Sequence, residues 1–403
     1  MTPLKIMLIA GEPSGDQLAA ELVVALRAEL ERRFPGRPLE FFGAGGPKMA
    51  AAGVGLVIDL TEHSVIGLIE VVKNYFKFRR FFHQLLDLAE ERRPDVVIGV
   101  DYGGFNLRFA KALRERSKGW TESRCDSTGS RSAAAATNGL RLVQYVSPQV
   151  WASRAGRART IAETHDLLLS IFPFEKDWYA ARHPSLKVQF VGHPAVDRFA
   201  KSDIRRPKAE GNQKKRVLLL PGSRVSELKR HLPVMLPAAL RLAKEGFELA
   251  MVLPSEGLQA MAKPMLAASG LALEVRIGGL AEELGRADLA IASTGTVTME
   301  CAFFGVPTVA LYKTSWSTYQ IGKRIVTVKY LAMPNILADE VIFPEFVQDD
   351  ATAENIAGAA LELLQNDQRR AAVKESLAQI IRSLGEPGAA RRAAAAVADL
   401  LPA

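Results

Sequence analysis

Cysteine is almost absent: Cys125 and Cys301 are the only two in 403 residues, and neither belongs to a CxxC pair. A disulfide framework and a zinc ribbon are therefore excluded, and a reducing compartment is the simpler reading. The six histidines form no HExxH pattern and no cluster with cysteine, so neither a catalytic metal nor any other cofactor is expected. No apolar run reaches the length of about eighteen residues that a bilayer-spanning helix needs. The opening MTPLKIMLIAG breaks at Gly11, too soon for a signal peptide. These absences predict a cytoplasmic protein.

Hydrophobic residues make up 48% and charged residues 24%, the balance of a packed globular chain. At this length two domains of roughly 200 residues each are expected. The formal net charge of +8 favours an anionic partner: nucleic acid, an acidic membrane surface or a phosphorylated substrate. Nucleic acid is disfavoured, because no known nucleic-acid motif occurs and basic residues alternate with aromatics in one segment only.

Short apolar runs alternate with helical patterns: KIMLIAG, PDVVIGVD, LVQYVS, HDLLLSIFP and KVQFVG, then RVLLLPGS, FELAMVLP, ADLAIAST and PTVALYK. Near-continuous apolar strands separated by helices predict parallel sheets covered on both faces, hence two doubly wound, Rossmann-like α/β domains. The first is expected over residues 1–200 and the second over 214–364. The stretch KSDIRRPKAEGNQKKR, residues 201–216, carries seven basic and two acidic residues and reads as an exposed linker. Residues 117–139, rich in Ser, Thr and Ala, read as a surface insertion that includes Cys125. The helical tail 365–403 is expected to pack on the first domain or on a partner subunit, as in a homodimer.

Ligands of open α/β sheets bind at strand tips. The first tip, LIAGEPSGDQLAAEL, combines Gly11 and Gly15 with Glu12, Ser14 and Asp16 at a helix start; it lacks the GK[ST] of a Walker loop, and Ser14 or Asp16 is equally suited to capping that helix. The second ends at Asp101, a candidate general base, with Gly103, Gly104 and Asn106 following. A helix cap or a partner for nearby cations is the competing role of Asp101. In the second domain PGSR delivers Ser223 and Arg224 to a strand tip, where a guanidinium can fork onto a diphosphate. STGTVTME places Gly295 and Thr296 at a helix start with Glu300 about one turn on, a pattern suited to phosphate and ribose hydroxyls.

Residues 64–86, SVIGLIEVVKNYFKFRRFFHQLL, form one further candidate. As a helix they set Val65, Leu68, Ile69, Val72, Tyr75 and Phe76 on a broad apolar face beside a stripe of Lys73, Lys77, Arg80 and Gln84. That arrangement suits anionic lipid, and it also suits a core helix with a solvated stripe.

Taken together, GEPSGD, GAGGPKMAAAG, GLIEVVK, PDVVIGVD, YVSPQVWASR, FPFEKDWY, FVGHP, LLPGSR, TGTVTMEC, YLAMPNILA and FPEFVQ occur in an order that resembles the lipid-A-disaccharide synthase family, up to about residue 348. The resemblance implies a GT-B type fold, with two Rossmann-like domains facing across a cleft. It implies metal-free, inverting transfer from UDP-2,3-diacylglucosamine to 2,3-diacylglucosamine 1-phosphate through a β-1,6 linkage. It makes Asp101 the base and Arg224 the nucleotide-binding arginine. Glu12, Ser14, Gly15, Asp16 and Asn106 then fall on the acceptor side and Ser223, Gly295, Thr296 and Glu300 on the nucleotide side. Asn335, Glu345 and Gln348 match later motifs expected to line the cleft. Acyl-chain substrates turn the segment 64–86 towards membrane docking, on the cytoplasmic face of the inner membrane.

Tyr102, Gly103 and Gly104 depart from the family's usual Ala-Pro-Asp, and Ser153 stands in place of a tryptophan. The rival readings are another GT-B enzyme that uses UDP-N-acetylglucosamine, such as a 2-epimerase, and a silent nucleotide-sugar or lipid-binding protein.

Overall fold

The computed structural model describes residues 2–63, 75–120, 139–200 and 214–402. Two compact units emerge. The first comprises Met1–Asp197 together with Leu384–Ala403, and the second Arg198–Ser383.

The first unit is built on seven parallel strands in the order β3-β2-β1-β4-β5-β6-β7. They are β1 Leu4–Ala10, β2 Leu39–Gly45, β3 Gly55–Asp59, β4 Val96–Val100, β5 Arg141–Tyr145, β6 Leu167–Ser170 and β7 Val188–Phe190. The central strands are buried throughout because helices cover both faces; β4 (VVIGV) has every residue buried. Met7, Ile9, Phe42, Leu85, Val97, Phe109 and Leu142 share one core cluster. This is why the central strands read as unbroken apolar runs and not as alternating ones.

The second unit holds six parallel strands in the order β10-β9-β8-β11-β12-β13. These are β8 Arg216–Leu220, β9 Glu248–Leu253, β10 Glu274–Ile277, β11 Leu289–Ser293, β12 Thr308–Tyr312 and β13 Glu345–Val347. Its core joins Leu218, Leu219, Leu236, Met251, Ile291, Leu311 and Phe343 with Ile356, Leu364 and Leu377 of the following helices.

Two boundaries differ from the sequence expectation. The basic run ends inside the second unit: Arg216 opens β8 and its guanidinium binds Glu274 and the fully buried Glu283, each at 2.7 Å, and also Glu248. The tail 365–403 is divided. Helix Asp367–Ser383 belongs to the second unit, while Leu384–Ala403 returns to the first, where helix Ala389–Ala398 lies on helix Pro13–Arg33. A stripe of alanines (Ala389, Ala393, Ala394, Ala396, Ala398) is buried there, and small side chains let helices approach closely. Arg33 reaches Asp399 at 2.6 Å, and Arg392 Nε donates to Val191 O at 2.8 Å.

Of the segment 64–86, residues 64–74 lie outside the described residues, as do 121–138 of the insertion and 201–213 of the linker. Helix Tyr75–Arg92 follows, with Phe81, Leu85, Leu86 and Ala89 buried while Phe76 is 77% exposed and Lys77 and Arg80 face solvent.

Candidate active site

Each sheet reverses its strand order once, between β1 and β4 in the first unit and between β8 and β11 in the second. Ala10 pairs with Val100 and Leu220 with Ala292, so the two loops beyond each pair leave the sheet side by side. Such a switch point opens a crevice at the carboxyl ends of the strands. The loops concerned carry Glu12, Ser14 and Asp101 in the first unit and Ser223, Arg224, Gly295 and Thr296 in the second. The switch points thus collect most of the expected residues.

Beyond β4 the chain turns sharply. Asp101 and Tyr102 both adopt the left-handed region, with φ of 51° and 45°. Two adjacent non-glycine residues in that region cost about 1–3 kcal/mol each, so the surroundings must over-determine them. Asp101 N donates to Tyr145 O at 2.8 Å, and Asp101 O accepts from Asn106 Nδ2 at 3.0 Å and from Gln144 Nε2 at 2.9 Å. The Tyr102 ring stacks on Phe105 with centroids 5.5 Å apart and covers Gly11, where a Cβ would come within 2.3 Å of the ring. A side chain at position 11 would therefore displace the tyrosine.

Burial raises the half-buried Asp101 carboxyl above its ordinary value. The Tyr102 phenol is raised too, first by burial and then by the charge of Glu12. Glu12 occupies the N-cap position of helix Pro13–Arg33, and Ser14 stands exposed in its first turn.

Three expected ligand contacts in this unit are turned inward. Asp16, 2% exposed, accepts from Gly46 N at 2.9 Å and from Lys48 N and Met49 N at 3.0 Å each. Its carboxylate thereby caps helix Pro47–Ala51 and not its own helix. Gly15 is buried, and a Cβ there would lie 3.4 Å from Val100 O, so it serves the packing of its helix against the sheet. Asn106 is also 2% exposed, and its amide is directed at backbone carbonyls.

In the second unit Arg224 is the N-cap residue of helix Val225–Lys244 and its side chain is about half exposed. Glu227, one turn in, folds back to accept from Ser223 N at 2.9 Å and Arg224 N at 3.3 Å. It fits only because Gly222, at φ 119°, has no Cβ; one would sit 2.4 Å from the glutamate. The donors expected for phosphate are thus held by a carboxylate, which also lies 3.5 Å from Nη1 of the half-exposed Arg224 guanidinium. Gly295 and Thr296 are exposed at the start of helix Thr296–Phe303, and Glu300 is half-buried one turn on, its carboxyl raised by burial.

Asn335 and Gln348 are framework groups. Asn335 is fully buried: its Oδ1 accepts from Ile342 N and Phe343 N, while its Nδ2 donates to Phe343 O and Glu345 Oε1. Glu345 also accepts from Leu331 N and Ala332 N at 2.8 Å. Gln348 exchanges two hydrogen bonds with the Thr314 backbone.

Sequence reasoning passed over several groups that shape these loops. Gln144 is a polar residue inside the apolar run LVQYVS, which was the signal for it. His231 is fully buried and bridges two strand tips, with Nδ1 2.8 Å from Pro221 O and Nε2 accepting from Lys313 N at 3.0 Å. Accepting at Nε2 requires the neutral ring, and burial lowers its pKa. Trp151 Nε1 donates to the buried Glu175 at 2.9 Å, and Ser147 Oγ lies 3.2 Å from Tyr179 OH.

Two parallel sheets of this order, with a carboxylate at one switch point and an arginine at a helix start at the other, give the chain a GT-B type fold. Solved structures share that fold. The UDP-GlcNAc 2-epimerase from Neisseria meningitidis aligns with a TM-score of 0.58 at 13% identity, over 99% of this chain and 100% of that one. A glycosyltransferase from Rickettsia africae ESF-5 aligns at 0.52 and 12%, over 99% and 98%. The chain belongs to the lipid-A-disaccharide synthase family: the family model described as Lipid-A-disaccharide synthetase matches residues 6–119 and 133–400. It is 35% identical to the lipid-A-disaccharide synthase of Geobacter sulfurreducens, over 99% of this chain and 98% of that protein. With the Myxococcus xanthus enzyme of the same name it shares 36%, over the same fractions.

Proposed function

We propose that this glycosyltransferase joins UDP-2,3-diacylglucosamine to 2,3-diacylglucosamine 1-phosphate through a β-1,6 linkage, forming the lipid A disaccharide 1-phosphate. The acceptor's 6-oxygen attacks the anomeric carbon from the face opposite UDP. The bond from that carbon to the diphosphate breaks, its electron pair leaves with UDP, and the hydroxyl proton passes to Asp101. Burial of Asp101 makes its ionised form a stronger base. Arg224 and the helix start at Thr296 receive the charge that develops on the departing diphosphate, and Glu300 the ribose hydroxyls. Glu12 and Ser14 border the acceptor.

The observation that carries this reading is the half-buried Asp101 carboxyl, held on a strained turn at the first switch point, in a chain of this family. Incubating the protein with both diacylglucosamine substrates is expected to yield the tetraacyl disaccharide 1-phosphate by mass spectrometry. Asp101→Ala is expected to lower turnover by roughly a hundredfold or more while UDP affinity stays within about twofold. UDP binding without product in the unaltered protein would overturn the reaction, and equal loss of affinity and turnover in the variant would overturn the base.

The same reading places the enzyme peripherally on an anionic membrane surface, at the cytoplasmic face of the inner membrane, where its acylated substrates lie. Support comes from the 77% exposed Phe76 beside the exposed Lys77 and Arg80. Among the described residues no helix is long and apolar enough to cross a membrane.

A further inference from the structure

We propose that Asn106 and Gln144 are positioning residues that hold the Asp101–Tyr102 turn in the conformation proton transfer requires. The proposal rests on Asp101 being the base, and it assigns to Asn106 a role other than touching substrate.

The two amides come from different elements, helix Gly103–Arg116 and strand β5, and converge on one atom, Asp101 O. Each also reaches further strand ends. Asn106 Nδ2 lies 3.4 Å from Ile9 O and 3.5 Å from Val100 O, whereas Gln144 Nε2 lies 3.2 Å from Val146 O. The carboxyl ends of β1, β4 and β5 are thereby tied together beneath the turn. Val146 is itself left-handed at φ 66°, an unusual state for a β-branched residue, so Gln144 fastens a second strained position. Solvent reaches neither amide, since Asn106 is 2% and Gln144 0% exposed.

Their remaining oxygens are the second observation. Asn106 Oδ1 and Gln144 Oε1 are buried and accept no hydrogen bond. Both residues line a cavity of about 10 Å³ that includes Gly99. At Gly99 a Cβ would lie 2.7 Å from Gln144 Oε1 and 3.1 Å from Asn106 Cγ. The wall of that void is almost wholly apolar. Orphaned acceptors are costly to bury, so a retained pair points to a role for the two amide nitrogens.

Because two donors share Asp101 O, Asn106→Leu and Gln144→Met each leave one bond to the turn, so the fold is kept. Each is expected to lower kcat about tenfold or more, with KM for both substrates and UDP affinity within about twofold, and to shift the acid limb of the kcat pH profile. Gly99→Ala, whose Cβ would come within 2.7 Å of Gln144 Oε1 and push the amide aside, is expected to show the same signature. Turnover within about twofold of the parent in the folded single variants would overturn the proposal. So would kcat, substrate binding and melting temperature declining together, since that pattern marks a purely structural role. Asp101→Ala separates the two levels: an active Asp101→Ala removes the base itself, whereas an inactive one beside fully active Asn106→Leu and Gln144→Met removes the positioning alone.

Discussion

Glu175 is wholly buried, with Trp151 Nε1 donating to one oxygen at 2.9 Å and Phe172 N to the other at 3.3 Å. Burial outweighs these donors and lifts the carboxyl from 4.5 to about 7. Between those values the folded chain keeps a proton that the unfolded chain releases. The contribution of Glu175 to stability is therefore greatest below about pH 4.5 and is lost as pH rises through about 7, by on the order of 3 kcal/mol. Glu175→Gln removes the titration. The parent's melting temperature is expected to fall between pH 5 and 7.5 by roughly 6 °C more than the variant's in scanning calorimetry, and parallel curves would contradict the assignment. His165 acts oppositely: burial lowers it to about 4, so its contribution is lost as pH falls from 6.5. At this scale the sequence separated residue types but not directions. The places of Asp101 and Arg224 were legible because Asp101 follows an apolar run directly and Arg224 follows one across a Pro-Gly-Ser turn. Asp16 and Asn106 stand one helical turn into their helices, where about 100° of rotation per residue decides between ligand and core, and both turn inward.

Among the elements, the central strands were legible because sheets buried on both faces demand unbroken apolar runs. The short outer strand β13 was not: its three half-buried residues take their place through Asn335, Glu345 and Gln348, which tie loops from distant parts of the chain. A motif match reads such residues as ligands because side-chain hydrogen bonding within a loop leaves no periodic trace. Helix Tyr75–Arg92 divides its aromatics, with Phe81 buried and Phe76 exposed, as expected of a helix leaving the core for another apolar phase. Changing Val65, Leu68, Ile69 and Val72 together to Ser is expected to release most of the protein from sedimenting vesicles containing anionic lipid. Turnover on detergent-dispersed substrate is expected to stay within about twofold, because none of the four is among the residues assigned to the reaction. Undiminished sedimentation would rule out docking there.

For the whole molecule, two domains could be expected from length and alternation, but not the path that joins them. The chain passes from the first unit to the second after Asp197 and returns after Ser383. The return is anchored by His193 N donating to Leu384 O at 2.9 Å, and by Asp197 accepting from the backbone of Gly388 and Ala389. Removing Leu384–Ala403 is expected to lower the first unit's melting temperature by roughly 10 °C or more, since it uncovers the face of helix Pro13–Arg33 on which the alanine stripe rests. Hydrogen exchange should then rise in that helix while Arg198–Ser383 stays protected, and unchanged protection would show the tail to be dispensable. Within this topology the second unit is an insertion in the first, so on the ribosome it can complete its own core while the helix at Pro13–Arg33, synthesised long before, still lacks its cover. The cover of that helix is thus made only after the whole of Arg198–Ser383 has been synthesised.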